Sequence, residues 1–178
     1  AGGDRFEEAS TLDILGAIAD SSGRRREALD NWKAAAKIWR VIGPAEREVT
    51  TLVSIATTAI ALDDLSAAAG VLAESFDVAK QSGDREAELK TIEATGLLAW
   101  TRRLFDIGIM LVAIGDFNRT EGPDKARAAR ALNEMTRVAG LREQEIRALL
   151  VRADEQYRID RGEALVRAVL GPVSPPPG

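Results

Sequence analysis

The sequence contains no cysteine and no histidine. Without cysteine, the chain can form neither a disulfide nor a thiolate metal site. Without histidine, it lacks the commonest metal ligand and the commonest general base, which excludes most familiar catalytic arrangements. Adjacent carboxylates such as Glu7 and Glu8 point about 100° apart on a helix and do not face one cleft. We therefore expect a protein that is not an enzyme and that requires no cofactor or metal ion.

Aromatic residues are also few, at 4% of the chain, and long apolar runs are absent from the sequence. The longest run extends from Ile107 to Ile114 and is interrupted by Gly108. A helix that spans a bilayer needs about 20 apolar residues. The formal net charge of −4 would repel a nucleic-acid backbone, since proteins that bind it usually present a basic face. We expect a soluble, cytoplasmic protein that binds neither a membrane nor nucleic acid directly.

The residues that are abundant favour helices. Of the 178 residues, 46% are hydrophobic, mostly Ala, Leu, Ile and Val, and the charged residues, 29% of the chain, are spread between them. This mixture is typical of helix rather than sheet, and the apolar content suffices for the core of one domain. Apolar positions recur three or four residues apart, as in Ala28, Trp32, Ala35 and Trp39. The sequence therefore predicts an all-α protein.

Turns led by glycine recur at Gly43, Gly83 and Gly122, at spacings of 40 and 39 residues. Glycine suits the left-handed position just past a helix, and the Pro or Asp that follows suits the first turn of the next helix. Each unit of about 40 residues is thus predicted to be a pair of antiparallel helices. Weaker breaks divide the units in two, at Ser21-Ser22-Gly23, Asp63-Asp64 and Arg102-Arg103.

These breaks predict nine helices, of which those in the fourth unit, 123–160, match the repeat more loosely. The predicted ranges are 4–20, 24–42, 45–62, 65–82, 84–101, 104–119, 124–139, 142–160 and 163–170. We expect one domain over residues 4–170. Residues 1–3 are interpreted as a remnant of cloning or of an excised segment, and the Pro-rich residues 171–178 as a disordered tail.

The segment 104–115 is rich in β-branched residues and glycine, so it would also suit a buried strand. Periodicity cannot decide the structure of so short an apolar run. Its position as the second helix of its unit favours a helix.

Overlaying the units aligns small residues at three positions in each of the first three units. Small side chains at such spacings mark where the helices of a pair approach closely. The spacings of twelve and seven residues, and the large residue between the last two small ones, resemble the tetratricopeptide repeat. The unit is longer than that repeat and resembles the divergent helical arrays of bacterial signal-transducing ATPase regulators. The nine small residues are Gly16, Ala28, Ala35, Ala56, Ala68, Ser75, Gly96, Gly108 and Gly115.

This resemblance implies a short right-handed solenoid of about four repeats, in which the first helix of each pair lines a concave groove. The Lys and Asn with which some family members clamp a terminal carboxylate are replaced here by Asp13, Ala17, Val53 and Thr57. The apolar groove residues could instead pack against neighbouring helices or a terminal segment. The implied groove residues are Asp13, Val53, Thr57, Ile60, Glu93, Leu97 and Trp100.

An apolar groove suits an amphipathic helix, an extended peptide or a flat small molecule. The first hypothesis is therefore a non-catalytic interaction or scaffold module that binds a partner peptide or helix. The alternative is a ligand- or peptide-sensing domain of a bacterial transcriptional or signalling regulator. Exposed ends of the array would also offer a surface for homo-oligomers.

Two further groups of residues have more than one interpretation. Trp32 and Trp39 lie seven residues apart on one helical face and are predicted to belong to the core rather than to a binding site. The runs Arg24-Arg25-Arg26 and Arg102-Arg103 would suit an acidic partner, but each lies at a predicted turn, where charge is ordinarily solvated.

Overall fold

The computed structural model describes the backbone of residues 2–171 and the side chains of residues 4–171. Over these residues the chain is all-α, as predicted, and the helices follow one another as packed pairs. Each helix begins and ends within two residues of its predicted position, and the ambiguous segment 104–115 belongs to a helix. The helices are α1 (Gly2–Ser21), α2 (Arg25–Ile42), α3 (Ala45–Ala61), α4 (Leu65–Ser82), α5 (Arg85–Thr101), α6 (Phe105–Phe117), α7 (Pro123–Val138), α8 (Glu143–Asp160) and α9 (Glu163–Leu170).

The turns inside the first three pairs share one backbone conformation. Gly23, Asp63 and Arg103 have φ values of 76°, 62° and 63°, in the left-handed region. In each turn, the next residue donates its N–H to a carbonyl five residues earlier, which is the bond that closes a Schellman helix end. The period of 40 residues seen in the sequence therefore also appears in the backbone conformation of these turns. The three bonds join Arg24 to Ala19, Asp64 to Ala59 and Leu104 to Ala99, each at 2.9 Å.

The fourth pair keeps this turn at a shifted position. Gly140 has φ 64°, and the N–H of Leu141 reaches the carbonyl of Thr136 at 3.4 Å. Gly140 follows Arg103 by 37 residues instead of 40, so the looser match expected for residues 123–160 corresponds to a displaced turn.

The glycines between pairs agree with the prediction at one position of three. Gly83 is left-handed, with φ 69°. The prediction is wrong for Gly43, which is extended, with φ −91°; its small size is required because a Cβ would lie 2.5 Å from Cε3 of Trp39. It is also wrong for Gly122, which directly precedes α7, whereas α6 already ends at Phe117.

The nine aligned small residues are all buried, as the close approach of helices requires. A Cβ on Gly16 would lie 2.5 Å from Nε1 of Trp32, in the facing helix α2. A Cβ on Gly96 would lie 3.0 Å from the carbonyl oxygen of Gly108 in α6. These contacts confirm that the small positions mark helix–helix contacts.

The chain divides into two compact units, one ending at Thr91 and the other beginning at Ile92. In the first unit, α1 packs on α2, α2 on α3 and α3 on α4. Its core includes Trp32 and Trp39, which are only 6% and 0% exposed and thus belong to the core as predicted. Trp32 shares one apolar cluster with Leu52 and Ile55, so α2 and α3 are held together by the same side chains that hold the first pair.

The second unit is built around α6, which packs against α7, α8 and α9. Its residues from Gly108 to Gly115 are all buried. A helix that is covered on all sides needs no polar face, which explains why this run shows no clear helical period.

Within residues 2–171, no helix combines the length and the apolar character that crossing a bilayer requires. Gly2 and Gly3, which were interpreted as part of a remnant, continue the backbone of α1. Apart from Gly171, the predicted tail lies outside the described residues.

Candidate functional site

Three of the predicted groove residues, Val53, Thr57 and Ile60, lie on one face of α3 and are partly buried. Val53 packs against a cluster that contains Val49 and Ala79. The Thr57 hydroxyl donates to the carbonyl of Val53, 3.0 Å away in its own helix. These three residues therefore form a partly exposed, mainly apolar strip on α3. Only Thr57 among them is polar, and its hydroxyl is already hydrogen-bonded within the helix.

Asp13, also predicted for the groove, makes its contacts inside the first unit. Its two carboxylate oxygens accept hydrogen bonds from Nε1 of Trp39 at 2.7 Å and from Oγ1 of Thr51 at 2.8 Å. Its carbonyl oxygen accepts a third bond from Nε1 of Trp32 at 3.2 Å. Asp13 thus joins α1 to α2 and α3.

In the second unit, Leu97 and Trp100 are partly buried on the last turns of α5. The Trp100 ring meets the Phe105 ring edge to face, with centroids 4.8 Å apart. This ring pair stabilises the turn between α5 and α6. Part of the Trp100 indole remains exposed.

Glu93, the remaining predicted groove residue, is only 3% exposed and is the centre of a charged cluster. Its Oε2 accepts a bond from Nη1 of Arg119 at 2.9 Å, and its Oε1 accepts one from Nε of Arg127, also at 2.9 Å. Arg127 pairs in turn with Asp124. Burial alone would lower the pKa of Arg127, but the hydrogen bonds and charges of Glu93 and Asp124 raise it on balance. The Glu93 carboxylate is therefore committed to ion pairs within the unit.

A more open site lies in the first unit between α2, α3 and α4, and we call it the α2–α4 pocket. It encloses about 320 Å³. Its floor is apolar, because Ile55 and Ala59 are almost fully buried and Leu29 and Val71 pack against the core cluster beneath. The lining residues are Arg26, Leu29, Lys33, Ile55, Ala59, Leu62, Asp64, Ala67 and Val71.

The rim of the α2–α4 pocket is basic. Arg26 and Lys33 lie two helical turns apart on α2, roughly 10 Å along its axis. Among the described residues, neither cation is paired with a carboxylate in this structure. The one acidic lining residue, Asp64, accepts the backbone N–H of Ala67 at 3.0 Å and so caps α4.

A shallow depression continues the pocket past its rim. It shares Arg26 and Leu62 with the pocket and adds Gly23, Arg24, Arg25 and Glu27, and Arg24 forms an ion pair with Glu27 at 2.8 Å. Leu62 is 40% exposed, so an apolar surface extends from the pocket floor to a border that carries three arginines and one glutamate. An arrangement of this kind can receive an apolar side chain while its cations pair with carboxylates beside it.

Sequence reasoning did not find this pocket. The spacing of Arg26, Leu29 and Lys33, at intervals of three and four residues, places them on one face of α2, and this was the available signal. Arg26 was predicted to lie in a charged run at a turn, where charge is ordinarily solvated, and was not connected with Lys33.

Within the described part of the chain, no group of three or more Asp and Glu side chains is arranged to hold a metal ion. No family model matches the chain, and comparisons with curated proteins and with solved structures also find no match.

Proposed function

We propose that this chain is a non-catalytic interaction module that binds a peptide or helix of a partner protein at the α2–α4 pocket. An apolar side chain of the partner occupies the pocket, and acidic residues next to it pair with Arg26 and Lys33. The observation that carries this proposal is an apolar floor beneath two cations that have no carboxylate partner in the described structure.

The apolar side chain contributes more to the affinity than either ion pair does. Burying one Leu, Ile or Phe side chain contributes about 1.5–3 kcal/mol. An exposed ion pair contributes about 0–1 kcal/mol, so Arg26 and Lys33 chiefly decide which segment binds and in which direction. A micromolar complex needs about 8 kcal/mol. The partner therefore also covers the neighbouring depression around Leu62 and Arg24.

Selection from a display library of 16-residue helical peptides on the full chain tests this proposal. We expect the enriched peptides to combine Leu, Ile or Phe with Asp or Glu one or two turns away. The double variant Arg26→Glu/Lys33→Glu should then bind these peptides at least tenfold more weakly in fluorescence anisotropy.

The matched control is Lys37→Glu/Arg47→Glu, which changes the net charge equally at two exposed cations outside the pocket. Its peptide affinity should stay within twofold of that of the unchanged chain. Equal losses in both double variants, or enrichment of peptides without acidic residues, would show that general charge or another surface governs binding.

A second candidate function is a ligand-sensing domain, as in a bacterial regulator. The volume of about 320 Å³ favours it, since it lies at the lower end of the range of small-molecule sites. A compact apolar carboxylate would fill the pocket and pair with one cation. Medium-chain and aromatic carboxylic acids should then raise Tm with concentration, whereas their methyl esters should not. A constant Tm across the acids excludes this candidate and leaves the peptide.

A further inference from the structure

The outer face of α1 exposes apolar residues in the middle of the helix. Leu15 is 45% exposed, Ile18 is 50% exposed, and the neighbouring Ile14 is 61% exposed. Glu8 and Thr11 lie on the same face, at intervals of three and four residues, and are exposed as well. We call Glu8, Thr11, Leu15 and Ile18 the α1 outer face.

The same face is buried in the next pair of helices. Advancing by 40 residues, the period of the turns, leads from the α1 outer face to positions in α3. Two of the four residue types are identical, since Glu8 corresponds to Glu48 and Thr11 to Thr51. The α3 residues are Glu48, Thr51, Ile55 and Thr58, and all four are buried.

What covers this face of α3 is the preceding hairpin, α1–α2. Glu48 accepts a bond from Nε of Arg40 at 3.3 Å, and Thr51 donates to the carboxylate of Asp13 at 2.8 Å. Ile55 packs into the cluster of Trp32. A face with Glu, Thr and an aliphatic residue at these positions is therefore complementary to a hairpin that presents a cation, a carboxylate and an apolar surface.

A third copy of the pattern follows in α5. Glu88 and Thr91 keep the residue types of Glu8 and Thr11, and both are buried. The Thr91 hydroxyl lies 2.8 Å from that of Ser75 in α4. The pattern thus marks a covered face wherever another pair of helices precedes it.

We infer that the α1 outer face is a stacking surface for a helical hairpin of this same repeat type, one that presents a cation opposite Glu8 and a carboxylate opposite Thr11. A solvated helix face has no need for Leu15 and Ile18, and burying both removes a contiguous apolar surface from water. The hairpin supplies to α1 the contacts that α1–α2 supplies to α3.

The full chain can be given such a hairpin by placing a second copy of residues 5–44 directly before Arg5. The added Pro44 then precedes Arg5 as the native Pro44 precedes Ala45. Amide hydrogen exchange in the original α1, over residues 11–21, should slow at least tenfold. In the extended chain, Leu15→Asp in the original α1 should lower Tm by at least 5 °C more than it does in the unextended chain.

Two comparisons test the register of the contact. Glu8→Gln should lower Tm only in the extended chain, and this effect should vanish when Arg40 of the added hairpin is also changed to Gln. Val151→Asp, at a 52% exposed position on α8, should have the same effect in both chains.

Unchanged exchange in α1, or equal effects of Leu15→Asp in the two chains, would overturn the inference. A dimer of the unextended chain in light scattering that Leu15→Asp converts to a monomer would overturn it too, because the occupant would then be a second copy.

Discussion

At the scale of single residues, the turns inside the helix pairs depend on one left-handed position. Glycine occupies it in the first pair, at Gly23, whereas Asp63 and Arg103 occupy it in the second and third pairs. Residues other than glycine pay roughly 1–2 kcal/mol of steric strain in this region. The repeat therefore tolerates strain at two of its three equivalent turns.

Removing the glycine from this position in one turn and introducing a glycine at it in another should change the free energy of unfolding in opposite directions. We expect Gly23→Ala to destabilise the protein by about 1 kcal/mol, because nothing lies near a new Cβ and the whole effect is backbone strain. Asp63→Gly should stabilise it by somewhat less than 1 kcal/mol, since glycine also gains entropy in the unfolded chain. Urea unfolding of both variants measures the two signs; equal signs would contradict the shared conformation.

Asp13 offers a second prediction for a single side chain. Asp13→Ala leaves Nε1 of Trp39 and Oγ1 of Thr51 without their acceptor and should destabilise the protein by about 2–4 kcal/mol. The control, Asp30→Ala on the exposed face of α2, should stay within about 0.5 kcal/mol. If urea unfolding shows equal effects, Asp13 is not the link between α1, α2 and α3.

At the scale of helices, the small aligned residues determine how closely pairs pack. A Cβ on Gly96 would lie 2.9 Å from Cγ2 of Val112 and 3.1 Å from Cβ of Leu111, so α5 and α6 would have to move apart. Gly70, in the middle of α4, is exposed and has no atom within 4 Å of such a Cβ.

The same substitution should therefore have opposite effects at these two glycines. Gly96→Ala should destabilise the protein by about 1–2 kcal/mol, because overpacking outweighs the gain in helix propensity. Gly70→Ala should stabilise it by about 0.5–1 kcal/mol through propensity alone. Thermal unfolding would contradict the predicted close approach if Gly96→Ala were neutral or stabilising.

The first turn of α8 is held by a charged cap. Glu145 accepts hydrogen bonds from the Arg142 side chain, at 2.9 Å to Nη2, and from the Arg142 backbone N–H, at 2.7 Å. These bonds lower the pKa of Glu145 from 4.5 to about 2. Because the folded pKa is the lower one, the stabilisation is complete above pH 4.5 and is lost as the pH falls through about 2.

Glu145→Gln should accordingly destabilise α8 at pH 6, and the difference from the unchanged chain should shrink as the pH approaches 2. A carboxyl NMR titration should give Glu145 a midpoint near 2, and Arg142→Gln should raise that midpoint toward 4.5. A midpoint that Arg142→Gln leaves unchanged would mean that the side-chain bonds are not formed in solution.

At the scale of the whole molecule, the sequence was sufficient to predict the helices and their repeat. Helical period and small residues depend on local chemistry and on a regular spacing, so the nine helices of residues 2–171 and nine buried small positions could be placed in advance. The conformations of Gly43 and Gly122 could not, because the first depends on contact with the Trp39 ring and the second on where α6 ends.

The candidate site was harder to predict because it depends on which face of each helix remains open. Glu93 and Asp13 were predicted as groove residues from repeat positions alone, but partners distant in sequence, Arg119 and Trp39, engage them inside the two units. Conversely, Arg26 and Lys33 border a pocket only because α3 and α4 supply an apolar floor between them. The spacing of residues within α2 cannot predict that floor, because its residues on α3 and α4 lie elsewhere in the sequence.

The most direct test of the proposed function is a methyl NMR titration of the full chain with a peptide enriched in the library selection. Labelled Ile, Leu and Val methyl groups report where the peptide lies. Binding at the α2–α4 pocket predicts the largest shifts at Leu29, Ile55 and Val71. Shifts concentrated instead at Val53, Ile60 and Leu97, with none at those three, would contradict the pocket and place the partner on the groove positions implied by the repeat resemblance.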